Sequence, residues 1–216
     1  YYAWGNPEVI KPYLLNKELS RQKRESYQGK KDKIHAEDPR ISFRLIASRT
    51  NNRTMIAALT PPYCFQQHSV QFLEFIRGDV FDQAFILGCL SSIPLDWYAR
   101  KFVEINFTFN YFNSLPIPRP KRDNPLWQRV INLAGRLACP DDRFSNWASK
   151  IGVKFGPLKT NEKFDKIYEL DALVAHLYNL SEIQLIHIFE TFHDGWDYQP
   201  RLEEVLRHYH THEKNK

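Results

Sequence analysis

Two short apolar runs, Phe43–Ser48 and Thr54–Leu59, flank the polar group Arg49-Thr50-Asn51-Asn52-Arg53. Runs of that length with β-branched and aromatic members, separated by five Asn-rich residues, predict a β-hairpin with a longer loop. Asn tolerates the positive backbone angles such a turn demands. The tip would then carry two arginines and two amides on a rigid support, and those side chains can contact phosphates and base edges. Taken alone, a turn of this composition is more often simply solvated.

Charge gives the turn a context. The chain of 216 residues carries a net charge of +5. Residues 1–53 hold 12 Lys/Arg against 6 Asp/Glu, and residues 54–216 hold 18 against 19. The excess therefore surrounds the hairpin, as an electrostatic footprint for polyanions would, although solubility alone can explain such a patch. Within it, Lys17–Lys33 reads as a short helix followed by a mobile basic loop around Gly29, with Lys30, Lys31 and Lys33 as candidate phosphate contacts. Tyr1–Asn16, broken by Pro7 and Pro12, reads as irregular.

The rest of the chain divides by period. Asp79 is placed to cap a helix to about Ser91, and Pro94 to start a short one over Leu95–Phe102. Glu104–Phe112 alternates, with Ile105, Phe107, Phe109 and Tyr111 on one face, which predicts a half-buried strand. The prolines of Asn113–Arg122 mark a subdomain boundary. Helices follow over Pro125–Ala138, Lys163–Tyr178, from a Ser181/Gln184 capping box to near His193, and over Pro200–Tyr209. The prediction is an α+β fold: residues 1–118 as a small mixed sheet with packed helices, then residues 119–216 as an all-helical subdomain.

Catalytic signatures are weak. Thr60-Pro61-Pro62-Tyr63 resembles the Asn/Asp-Pro-Pro-Tyr motif of amino-methyltransferases, but Thr stands where the acceptor for the target amine belongs, and the eight glycines include no Gly-x-Gly pair. No Glu-x-Lys or Asp-x-Lys tripeptide of a metal-dependent nuclease occurs. Nothing orients His68 toward Cys64 as a thiol-protease pair would need. His208, His210 and His212 alternate faces on a helix and read as a fraying, solvated end rather than a metal site. Trp196 and Tyr198 could form an aromatic contact surface, with packing between helices the better account. Catalytic and metal residues are expected to be none.

Cys64, Cys89 and Cys139, odd in number and widely spaced, suggest a reducing compartment. The longest uncharged stretch, Met55–Leu73, contains Pro61, Pro62, Gln66 and Gln67 and is not a plain membrane span. The chain opens on Tyr1 and its only Met is Met55, so it reads as a piece of a longer protein.

Residues 39–54 followed by Ala-Leu-Thr-Pro-Pro (58–62) resemble the C-terminal specificity regions of large adenine-N6 DNA methyltransferases, of the type IIG restriction-modification and phage-defence kind. Three further stretches fit in order: Leu-Gly-Cys-Leu-Ser-Ser-Ile-Pro-Leu-Asp-Trp-Tyr-Ala-Arg (87–100), Leu-Pro-Ile-Pro-Arg-Pro (115–120) and Glu-Leu-Asp-Ala-Leu-Val-Ala-His-Leu-Tyr-Asn-Leu-Ser (169–181). The resemblance implies a target-recognition module that binds double-stranded DNA, in a prokaryotic cytoplasm. The catalytic domain and its S-adenosylmethionine would lie elsewhere on the same parent chain. Arg49, Asn51, Asn52, Arg53, Lys30, Lys31 and Lys33 are the expected DNA contacts, and no cofactor or membrane is expected for this chain. A protein–protein docking module of a defence complex is the alternative.

Overall fold

A computed structural model of the chain describes residues 35–48, 50–103 and 105–213. The expectations for Tyr1–Asn16 and Lys17–Lys33, with Lys30, Lys31 and Lys33, lie outside these residues, as does Arg49. Strands β1 (Arg40–Arg44), β2 (Ala57–Thr60) and β3 (Val70–Phe72) form an antiparallel sheet in the order β2-β1-β3. Helices follow: α1 (Val80–Ser91), α2 (Ile93–Arg100), α3 (Phe109–Asn113), α4 (Pro125–Ala138), α5 (Ser145–Ile151), α6 (Thr160–Leu177), α7 (Glu182–Glu190) and α8 (Gln199–Glu213). The fold is α+β, as the periodicities predict. Among the described residues no helix is long and apolar enough to cross a membrane.

Local chemistry sets the helix starts. Asp79 and Asp82 make a reciprocal capping box on α1, Asn124 accepts from the Leu126 N–H ahead of α4, and Ser181 with Gln184 closes a second box on α7. Pro at the first turn suits both α2 and α4.

The β1–β2 hairpin forms, but its ladder is shifted away from the tip and keeps only Phe43 of the first predicted run and Ala57–Leu59 of the second. Arg40 pairs with Thr60 and Phe43 with Ala57, so twelve residues, 45–56, connect the strands. The cause is competition for backbone groups. Leu45 N–H donates to Ser69 and Ala47 N–H to Ile105, while Thr54 and Met55 N–H turn to the Asp96 carboxylate.

The predicted strand over Glu104–Phe112 is overturned. Among the described residues its pairing is confined to one bridge, Ile46 with Asn106, and residues 109–113 are helical. Ile105 is 69% exposed whereas Phe107 is buried, so the alternating residues do not share a buried face. Phe43 explains the change. Phe109 meets its ring edge-on at 5.6 Å and Phe112 stacks on it at 4.8 Å. Residues three apart share a face on a helix and oppose one another on a strand.

One core runs from Ile41 and Phe43 of the sheet through α1 to Val130 and Leu133 of α4 and Leu173 of α6, across the expected boundary at residue 118. A second gathers Ile93, Ala172, Leu185, Phe189 and Val205, with Trp196 and Tyr198 packed against it. The C-terminal histidines are not a frayed end: α8 continues to Glu213, and buried His208 bonds Asp165 at 2.9 Å. His212 reaches Glu169 at 3.2 Å, because Asp165 and Glu169 offer acceptors one helical turn apart on α6.

Candidate functional site

The 45–56 connection is built by polar groups from outside it. Asp96, fully buried on α2, is its centre. Its Oδ1 accepts from Met55 N–H at 2.8 Å and from Thr54 N–H at 3.1 Å, and its Oδ2 accepts from Arg53 Nε. Arg53 Nη2 also donates to the carbonyls of Ser91 and Ser92, at 2.9 and 3.2 Å. Those carbonyls end α1, where a cation complements the helix dipole. One turn after Asp96, Arg100 donates to the carbonyls of Asn51 (2.6 Å) and Asn52 (3.0 Å) and, through its other amino group, to Phe192 (2.6 Å). Its guanidinium also lies 3.9 Å from the Phe192 ring centroid. Burial pulls Arg100 below its ordinary pKa, with Asp96 opposing the shift.

The tip has its own closure. Ser48 Oγ accepts from Thr50 N–H at 3.2 Å, and Thr54 Oγ1 donates to the Ser48 carbonyl at 3.1 Å. With its amide turned to satisfy both neighbours, Asn51 accepts from Ser48 N–H and from Arg44 Nη2, at 3.3 and 2.7 Å. The expected contacts thus separate. The Arg53 side chain is 27% exposed and committed to Asp96, and Asn51 is held within the loop. Asn52 is exposed, and its side-chain amide makes no hydrogen bond among the described residues. Thr50 is exposed beside it.

Asp171 does for the helices what Asp96 does for the loop. Its Oδ1 accepts from Ile93 N–H at 2.8 Å and its Oδ2 from Arg201 Nη2 at 2.5 Å, which ties the start of α2 to α6 and α8. Glu169 takes a bidentate pair from Arg129 of α4 at 2.6 and 2.7 Å. Sequence reasoning passed over Asp96, Arg100 and Asp171 as site residues. Their one signal is an ionisable side chain inside an apolar helical stretch, since such a group needs a partner when buried.

Thr60 is structural. Its hydroxyl donates to the Arg40 carbonyl at 3.0 Å, lies 3.0 Å from Ser42 Oγ, and accepts from Gln66 Nε2 at 3.2 Å. Tyr63 is exposed at a φ of 60°, unusual for a bulky residue, with its N–H bonded to the Ala36 carbonyl. No hydrogen bond joins Cys64 to His68 among the described residues. The Cys64 carbonyl accepts from Arg40, and the His68 carbonyl accepts from Gln71. Comparison with protein-family models, curated proteins and solved structures finds no match to this chain.

Proposed function

We propose that this chain is a target-recognition module that reads double-stranded DNA for an adenine-N6 methyltransferase, with the catalytic domain elsewhere on the parent chain. The observation that carries the reading is the anchoring of the 45–56 loop. Asp96 and Arg100 hold five consecutive residues, Asn51 to Met55, so the tip is presented as a fixed shape with the Asn52 amide outward. A base-reading group gains specificity from such support, because a loose side chain reads several edges equally well.

The resembling stretches also meet here. Asp96 and Arg100 belong to 87–100 and grip the end of 39–54, while Asp171 belongs to 169–181 and holds the helix that carries them. Stretches that define a module by resemblance form one connected support. The reading gives no chemistry to this chain, and S-adenosylmethionine would be bound by the catalytic domain.

The test is selection of duplexes from a random library on the purified chain, followed by binding measurements at several salt concentrations. A selected sequence should bind far more tightly than its scrambled form, with a linear logarithmic salt dependence. Equal binding of all duplexes, or none, would remove the reading.

A further inference from the structure

The sheet leaves β2 as an outer strand. Arg44 N–H donates to Ile56 O at 3.0 Å, which in the β1–β2 register makes 44/56, 42/58 and 40/60 the hydrogen-bonded pairs. Ala57 and Leu59 therefore turn their N–H and C=O groups away from β1. Among the described residues no strand pairs with them. The edge is half-exposed at Ala57 and closes down at Leu59, which is 6% exposed, and an unpaired edge of this kind is a template for an added strand.

This edge faces a groove of about 900 Å³. All four β2 residues line it, and the wall across from them carries Leu87 of α1, Leu137 and Ala138 of α4, and Ile167 of α6. Four cations also line it, Arg53, Arg143, Lys163 and Arg201, and no Asp or Glu is among its described lining residues. The carboxylates that pair with Arg53 and Arg201, Asp96 and Asp171, are buried behind them. Arg143 pairs with Asp141 at the surface at 2.7 Å. Lys163 is exposed and has no ion pair among the described residues.

We infer that the groove seats an extended segment of a partner protein, added to β2 as a fourth strand. Its apolar side chains would alternate onto the helical wall, and its carboxylates would meet the basic lining. A DNA backbone fits these groups poorly. The Ala57 and Leu59 carbonyls are acceptors, as phosphate oxygens are, whereas a peptide strand brings both donors and acceptors at the right period. The apolar wall likewise has no counterpart in a phosphate chain.

Cys64 lines the groove and reports on its occupancy. Phage-displayed random peptides are selected on the whole chain, and the selected peptides are resynthesised. They should alternate apolar residues, carry acidic ones, and shield Cys64 from alkylation. Ala57→Pro removes an N–H that β1 does not use, so it should weaken the selected peptides about tenfold or more. Lys163→Glu, at an exposed position, should weaken them likewise, and it decides the matter if Ala57→Pro unfolds the chain. The inference falls if no peptide is selected, if the selected peptides bind the variants as well as the parent, or if a DNA duplex shields Cys64 and the peptides do not.

Discussion

The Asp96 carboxylate accepts a hydrogen bond from the Met55 N–H at 2.8 Å, across 41 positions of sequence. Together with Thr54 N–H and Arg53 Nε, this bond makes one buried side chain the organiser of a twelve-residue connection. Removing it strands two backbone donors and a guanidinium. Asp96→Ala should therefore cost about 3–5 kcal/mol, the range for breaking a buried pair by deleting one partner. Asp96→Asn keeps one acceptor but turns an NH2 toward Arg53, so it should recover only part of the loss. Urea unfolding measures both, and a change within about 0.5 kcal/mol for Asp96→Ala would show that the loop holds itself.

Gly88 lies inside α1, where Ala would normally be favoured by about 1 kcal/mol. Here a Cβ would stand 2.7 Å from Val130 Cγ1 and 3.2 Å from Ala134 Cβ on α4. Val130 is β-branched and fully buried, so it has little room to yield. Gly88→Ala should thus be net destabilising, by about 1–3 kcal/mol as for other overpacked cores. A raised melting temperature in a thermal scan would mean that α1 and α4 sit farther apart.

What was legible in the chain was what neighbouring residues decide. The Asp79 and Ser181 caps, and the start of α4 at Pro125, each depend on contacts within four residues. Strand limits depend on distant competitors. The loop end at Thr54 and Met55 left the ladder because Asp96, some forty positions on, offers a charged acceptor. The 104–112 stretch has a genuine period of two, yet Phe43 draws Phe109 and Phe112 onto one side. β3 has only three residues, Val70–Phe72, too few to show a pattern. At the candidate site, the tip composition singled out the 49–53 turn, while nothing local distinguished the inward Arg53 and Asn51 from the outward Asn52.

Acid should loosen the contact between α4 and α6. Burial pushes the Glu169 carboxyl up, but the Arg129 hydrogen bonds and charge outweigh it and hold its pKa below the ordinary 4.5. A carboxylate with a lowered folded-state pKa stabilises the fold above its unfolded value, and that stability drains away as pH falls through the folded one. Arg129 is partly exposed, which limits the effect to about 1 kcal/mol. Arg129→Met should lower the urea midpoint near pH 7 and leave a smaller further loss on acidification to about pH 3. Parallel acid profiles for the two proteins would place the acid sensitivity elsewhere.

The three thiols should differ in reactivity. Burial raises the Cys89 pKa and pushes Cys139 up to about 11, with Arg136 partly opposing the second shift. Both are fully buried, whereas Cys64 is half-exposed. Since the thiolate is the reacting form, iodoacetamide should modify Cys64 first, and the other two only after unfolding. Peptide mapping of the native protein reads this directly, and early labelling of Cys89 would contradict the packing of α1.

The DNA reading sorts substitutions into three outcomes. Asn52→Ala removes an exposed amide without touching the anchoring of the loop, so it should cost about 1–3 kcal/mol on the selected sequence and much less on random DNA if Asn52 reads a base. Arg53→Ala should behave differently, because its guanidinium joins Asp96 to the end of α1. It should lower stability first and weaken specific binding through the disturbed tip. Arg100→Ala should do the same by freeing the Asn51 and Asn52 carbonyls. Lys30→Ala and Lys31→Ala, as phosphate contacts, should weaken all duplexes alike and each shallow the logarithmic salt slope by about 0.9. Arg49→Ala tests the remaining tip cation against both patterns. Anisotropy titrations on selected and scrambled duplexes, paired with a melting curve for each variant, separate loss of reading from loss of fold. If Asn52→Ala, Arg49→Ala and both lysine variants leave affinity, specificity and salt slope unchanged, the anchored loop serves the fold alone and the DNA surface lies elsewhere.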